Sequence, residues 1–187
     1  MHLKMPIVFD NDCIASFSWI NRLDIINTLF RGQIIIPQAV YNELAYMKKT
    51  KFYYVFENIE REVESKNFTV KDIGITDPYL KEYLRLIAMD NPKKIGKGEA
   101  AAIVLAKSLN GTLASNNLSD VLPYIKDNQP PLICTEHILY YYWKANYITV
   151  KEGQAIWQSM KDKKRKLPIY NFDYVITKFN TQSELLI

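Results

Sequence analysis

Cysteine and histidine are almost missing from this chain, with two of each in 187 residues. Cys13 and Cys134 both lie in apolar surroundings and read as buried thiols in a reducing compartment. A structural zinc site would need more ligands than these. Neither His2 nor His137 has a Ser or Cys partner that the sequence points to, which argues against hydrolysis by a nucleophilic triad. No run approaches the roughly 18–20 apolar residues of a membrane span. The start, Met1 to Pro6, lacks the apolar stretch of a signal peptide. These absences predict a cytoplasmic protein with no membrane partner. No internal repeat is visible. Charge is not extreme either: the formal net charge of +4 tolerates nucleic acid without demanding it.

What the chain does have is core-forming capacity, at 48% hydrophobic residues, and a few acids in particular places. Asp10 closes the apolar run Ile7-Val8-Phe9. Glu43 follows the run Ile34-Ile35-Ile36. Glu99 opens the run Ala100 to Ala106, and Asp120 lies just beyond Leu113-Ala114-Ser115-Asn116.

Strand-like runs are predicted at Ile7–Phe9, Gln33–Ile36, Phe68–Val70, Thr112–Ser115 and Pro131–Cys134. Between them run helical patterns. Cys13 to Phe30 has apolar residues at threes and fours, with a break near Asn21-Arg22. Arg31-Gly32 ends it, and Pro37 starts the next helix, bearing Glu43. Further helices are expected over Lys51–Ser65, Tyr79–Met89, Glu99–Leu109, Leu118–Lys126 and Thr135–Ala145. Asn91 to Gly98 reads as a loop with three lysines. The segment Glu99–Leu109 is apolar on every side, as a helix sandwiched between layers would be. Alternating strands and helices imply a parallel sheet covered on both faces. Residues 1–150 form one α/β domain in this reading. Residues 151–187 form a helical, basic C-terminal extension packed on or beside it.

In an open parallel sheet, ligands bind beyond the C-terminal ends of the strands. Carboxylates gathered there repel one another, by about 4 kcal/mol per pair at ~4 Å and an effective dielectric near 20. A hard divalent cation relieves that repulsion, and Mg²⁺ or Mn²⁺ prefers oxygen ligands. Bound metal activates water and neutralises phosphate, so metal-assisted phosphodiester hydrolysis is the natural chemistry.

At these residues the chain resembles the PIN-domain nucleases. Ile7-Val8-Phe9-Asp10-Asn11-Asp12 is similar to their opening motif. Ile34 to Leu44, an apolar strand, a proline and a helix bearing Glu43, resembles the second block. Gly98-Glu99-Ala100-Ala101-Ala102-Ile103 resembles the third, Leu113 to Asn117 the fourth, and Cys134 to Leu139 a final strand-to-helix block. The resemblance covers residues 6–148. It implies a three-layer α/β/α sandwich and Mg²⁺- or Mn²⁺-dependent ribonuclease activity on RNA. Many members are toxins held by an antitoxin protein, and many form homodimers. The implied metal ligands are Asp10, Glu99 and Asn116 or Asp120, with Glu43 completing the pocket or orienting the attacking water. Ser115, Lys97 and Thr135 are candidate substrate-binding residues.

One departure stands out. The fourth block usually supplies aspartate, and here it offers Asn116 beside Asn117. An amide oxygen can coordinate metal but brings no charge; Asp120 could restore the fourth charge, and Asp12 could help from the first loop. Each residue also has a plainer reading. Asp10 could cap a helix, Glu43 and Asp120 could face solvent, Glu99 could serve only the helix dipole, and Asn116 and Asn117 could be turn residues. His137 reads as a packing or helix-start residue, and Lys163 to Lys166 reads as a solvated face in preference to an RNA patch, although the lysine loop before Glu99 and the basic tail could hold the substrate backbone. Two rival functions remain: a weakened PIN-like module that binds RNA or protein without cleaving, and a haloacid-dehalogenase-like phosphatase suggested by Asp10-Asn11-Asp12.

Overall fold

The computed structural model describes residues 3–89, 95–125, 127 and 129–184, with side chains to residue 181. Five strands form one parallel sheet: β1 (Ile7–Phe9), β2 (Ile34–Pro37), β3 (Phe68–Lys71), β4 (Thr112–Ala114) and β5 (Leu132–Ile133), in the order β3-β2-β1-β4-β5. The order reverses at β1, with β2 on one side and β4 on the other. That is the switch point where the strand ends open a crevice.

Successive side chains of a strand point to opposite faces, and both faces are buried here. Ile7 and Phe9 enter one apolar cluster and Val8 the other. Ile34 and Ile36 are split from Ile35 in the same way, and Leu113 from Ala114. This is why these strands read as unbroken apolar runs rather than alternating ones. One face is covered by α5 (Leu80–Ile87), α6 (Lys97–Ser108) and the short α7 (Leu118–Val121). Residues 100–106 of α6 are all buried, because the helix lies between the sheet and two other helices, α3 (Gln38–Ala45) and α5. The other face carries α1 (Asn11–Ser18), α2 (Asp24–Phe30), α4 (Tyr53–Glu64) and α8 (Thr135–Lys144). The expected three-layer α/β/α sandwich is therefore observed.

Several boundaries shift for identifiable reasons. The helix expected over Leu118–Lys126 ends at Val121 and tightens to a 3₁₀ turn at Leu122–Tyr124, where Pro123 cannot donate to the ladder. The predicted break near Asn21 is real, and Asn21 sits at φ 56°. Gly32 takes the left-handed position after α2 at φ 70°. Residues 91–94 of the predicted lysine loop lie outside the described residues.

The C-terminal extension consists of α9 (Val150–Asp162) and α10 (Phe172–Glu184). Both pack on α8, and Trp157 and Phe172 are fully buried in the same cluster as Phe9 and Phe17. A Cβ at Gly153 would lie 2.2 Å from the Phe172 ring, so a glycine allows α9 and α10 to approach this closely. Across the joint, Lys178 pairs with Glu136 at 2.6 Å, and the Tyr140 hydroxyl donates to Asn180 at 2.8 Å.

Candidate metal centre

The loop leaving β1 runs against the end of β4, where the Asp10 amide donates to the Ala114 carbonyl at 2.9 Å. Asp10 is 2% exposed. One carboxylate oxygen caps α1, accepting from the Cys13 amide at 3.2 Å, and the other accepts from the Ser115 hydroxyl. The cap reading is thus correct, but the carboxylate also forms a wall of a cavity. Burial pushes its pKa up from 3.8 to about 7; the neighbouring charges of Asp12 and Glu99 push the same way, against the two hydrogen bonds.

Glu43 reaches in from α3. Its carboxylate accepts from the Gly98 amide at 3.0 Å and from the Asn11 side chain at 3.3 Å, bridging the first turns of α6 and α1. A Cβ on residue 98 would lie 2.7 Å from Glu43 Oε2, so the glycine is what lets the carboxylate come this near. Glu43 does not point away into solvent. Glu99 accepts from the Gly96 amide at 3.0 Å, a capping contact, while its other oxygen accepts from the Asn117 amide group. The same Asn117 nitrogen donates to Asp120 at 2.7 Å, which ties that exposed acid to Glu99.

Asp10, Asn11, Asp12, Glu43, Gly96 and Glu99 line a cavity of about 200 Å³. At ~30 Å³ per water that is room for about six waters, enough for a small divalent ion that keeps part of its hydration shell. Every donor offered is a hard oxygen. Asp10 is buried among like charges, and a cation there would favour its ionised form. The residues present fit Mg²⁺ or Mn²⁺.

Five of the candidate side chains have other surroundings, and none of them lines the cavity. Asn116 accepts from the Thr135 amide at 2.9 Å and donates to the Thr135 hydroxyl at 2.8 Å and to Ser16 at 3.3 Å. Its amide thereby stitches β4 to α8 and α1. Thr135 is consumed in the same contacts and is buried. Lys97 is exposed at the start of α6. Asp120 is exposed and adjoins the cavity only through Asn117. Ser115 is fully buried and holds Asp10.

Asp12 is better placed than its sequence signal indicated. It lines the cavity and pairs with Arg165 at 3.3 Å and Lys166 at 3.2 Å. The sequence points to Asn116 as a metal ligand, but Asn117 is the one that meets Glu99; adjacent residues after a strand leave in different directions, and only the path of the turn decides between them.

A second group, Cys134, Glu136 and His137, brings three ligand-type atoms within 4.8 Å. Its members are already partnered. Glu136 holds Lys178 and Tyr170, and His137 Nδ1 accepts from the Cys134 amide at 3.2 Å and faces its sulfur at 3.0 Å. Burial drives the Cys134 thiol up to about 12 and His137 down to about 4, so both are neutral at physiological pH. His137 also packs on Phe179, with ring centroids 4.4 Å apart, in agreement with a helix-start and packing role.

Among the described residues, no helix is long and apolar enough to cross a membrane. A family model described as a PIN domain matches residues 6–117, a span that includes Asp10, Glu43, Glu99 and both asparagines. No curated protein matches the chain.

Proposed function

Because this chain belongs to the PIN-domain family, whose members are generally nucleases, we propose that it is a divalent-metal-dependent ribonuclease that hydrolyses phosphodiester bonds of RNA. The observation that carries this reading is the convergence of Asp10, Asp12, Glu43 and Glu99 on one cavity at the switch point of the sheet. The phosphatase alternative falls with the family assignment.

In this reading Asp10 and Glu99 hold Mg²⁺ or Mn²⁺, with Asp12 on the rim and Asp120 adding charge from outside. When bound, the ion supplies Lewis acidity toward the scissile phosphate and makes a nearby water easier to deprotonate. The chain's own groups do the rest. Ser115 orients Asp10. Asn117 ties Glu99 to Asp120 through its side-chain nitrogen, while Asn116 is held away from the cavity by Thr135. Glu43, held by Gly98 and Asn11, orients the attacking water in line with the leaving oxygen. The neutral amide of Asn117 brings no charge to the fourth block. That favours looser metal binding than four carboxylates would give, and it keeps a second reading in play, an RNA-binding module without turnover.

One experiment separates the two. The protein is titrated calorimetrically with Mn²⁺ and, in parallel, incubated with a single-stranded RNA in Mg²⁺, in Mn²⁺ and in chelator. Saturable binding and chelator-sensitive cleavage, both lost in Glu99→Gln, support the ribonuclease. RNA binding with neither metal uptake nor cleavage supports the module.

A further inference from the structure

The sequence alone leaves the basic run at 163–166 between a solvated face and a patch that holds the substrate backbone. Its first two lysines are exposed, but Arg165 and Lys166 turn back to the cavity and clasp opposite oxygens of Asp12. Adjacent residues reach one carboxylate neither from a helix, where they diverge by about 100°, nor from a strand, where they point oppositely. The turn makes it possible. Lys164 is left-handed at φ 55°, and the backbone is pinned by Lys164 N to Lys161 O at 2.8 Å and Arg165 N to Met160 O at 3.1 Å.

The two cations have different surroundings. The Arg165 side chain is 16% exposed, its guanidinium lies 5.6 Å from the Trp19 ring centroid, and its buried Nε has no partner among the described residues. Arg165 is the anchor of the turn and the standing counter-ion of Asp12. The Lys166 side chain is 66% exposed and lies within electrostatic reach of Glu99 and Asp120 as well as Asp12. An exposed lysine pair contributes little and exchanges readily. Asp12 therefore faces two cations with one carboxylate, and the more exposed ammonium, that of Lys166, adjoins the cavity through Asp12.

We propose that Lys166 is a substrate-binding residue, which gives up Asp12 to take a phosphate of the RNA strand as it enters the cavity. The C-terminal extension, beyond the span matched to the PIN domain, thus supplies part of the RNA site. The inference rests on the ribonuclease reading for its substrate. A compact ammonium on a flexible stem suits a phosphate oxygen as a point charge, and the anchored turn keeps it near the cavity.

The test uses the full chain and a labelled single-stranded RNA. Affinity is measured in chelator across a salt series, and cleavage kinetics are measured separately in Mn²⁺. Lys166→Ala is expected to weaken RNA binding about 5- to 10-fold at low salt and to flatten the plot of log affinity against log salt by about 0.7, the signature of one lost single-strand phosphate contact. In the cleavage assay the loss falls on KM, and Lys166→Arg restores most of it. An unchanged urea midpoint shows that the fold is intact. Equal affinity and equal salt slope in wild type and Lys166→Ala overturn the proposal. So does tighter Mn²⁺ binding with unaltered RNA affinity, which would make Lys166 only an internal counter-ion. If the wild type cuts no RNA but Lys166→Ala still flattens the slope, the ribonuclease reading fails while strand binding by Lys166 stands.

Discussion

Replacing Asp10 by Asn should stabilise this protein while removing the proposed ribonuclease activity. The substitution keeps the shape and the oxygen that caps α1, and the new amide can donate to Ser115. It deletes a carboxylate whose pKa is raised from 3.8 to about 7 by burial and by Asp12 and Glu99. An acid raised in the folded state binds a proton there that the unfolded chain has already lost, so stability falls as pH climbs from about 4 to about 7. A displacement of about three pH units at roughly 1.4 kcal/mol each amounts to about 4 kcal/mol above pH 7. Asp10→Asn escapes that loss. In a metal-free buffer at pH 8 it should be more stable by up to about 4 kcal/mol, or roughly 8–16 °C in Tm for a chain of this size. Near pH 4 the two proteins should agree within about 1 kcal/mol. His137, lowered from 6.5 to about 4, runs the other way, because the unfolded chain takes up its proton first and stability is lost on acidification through that window. The two slopes oppose each other in the wild type, so its profile between about pH 4.5 and 6.5 is nearly flat in these two groups. The variant exposes the rising limb of His137. Urea unfolding at several pH values with an unchanged m-value reads this directly. Saturating Mn²⁺ should recover stability in the wild type, by about 2.7 kcal/mol at a hundred times Kd, and not in the variant. RNA cleavage should drop at least about 100-fold. A variant less stable than wild type at pH 8, or one that tracks its pH profile in parallel, would refute the argument that Asp10 is a destabilising, buried acid.

Substitutions at three further positions probe the surroundings of the site. Asn117→Ala removes the donor shared by Glu99 and Asp120 and should weaken Mn²⁺ binding about 10-fold, whereas Asn117→Asp should tighten it and lower metal-free stability; calorimetric titration and thermal melts check both. Gly98→Ala places a Cβ 2.7 Å from Glu43 Oε2 and should cost about 1–3 kcal/mol in urea unfolding, with reduced metal affinity as Glu43 is displaced. Asn116→Ala leaves the Thr135 amide unpartnered and should cost about 1–3 kcal/mol without altering Mn²⁺ affinity; lost metal binding with intact stability would return Asn116 to the ligand set.

The fold was legible because both faces of the sheet are covered. Ile7-Val8-Phe9 and Ile34-Ile35-Ile36 must be apolar at every position, and such runs between helical patterns admit few alternatives. Helix ends were read less well, because Pro123 and the caps act over single residues. Three acids of the cavity, Asp10, Glu43 and Glu99, were legible from their places at strand ends and helix starts. Their hydrogen-bond partners were not. Asn116 and Asn117 are chemically identical neighbours, and the backbone path at the end of β4 sends one to Thr135 and the other to Glu99.

The sequence by itself determined the layered α/β/α architecture and singled out Asp10, Glu43 and Glu99, which the fold gathers around one cavity, since local periodicity and chain order carry that information. Only the tertiary structure decided that Asp12 belongs to the cavity wall, that Asn116 is a stitch between elements, and that a basic turn more than 150 positions away closes over Asp12. Those outcomes depend on the direction in which individual side chains leave turns. That direction is set by long-range packing, here of α9 and α10 against α8, and no short pattern in the chain encodes it.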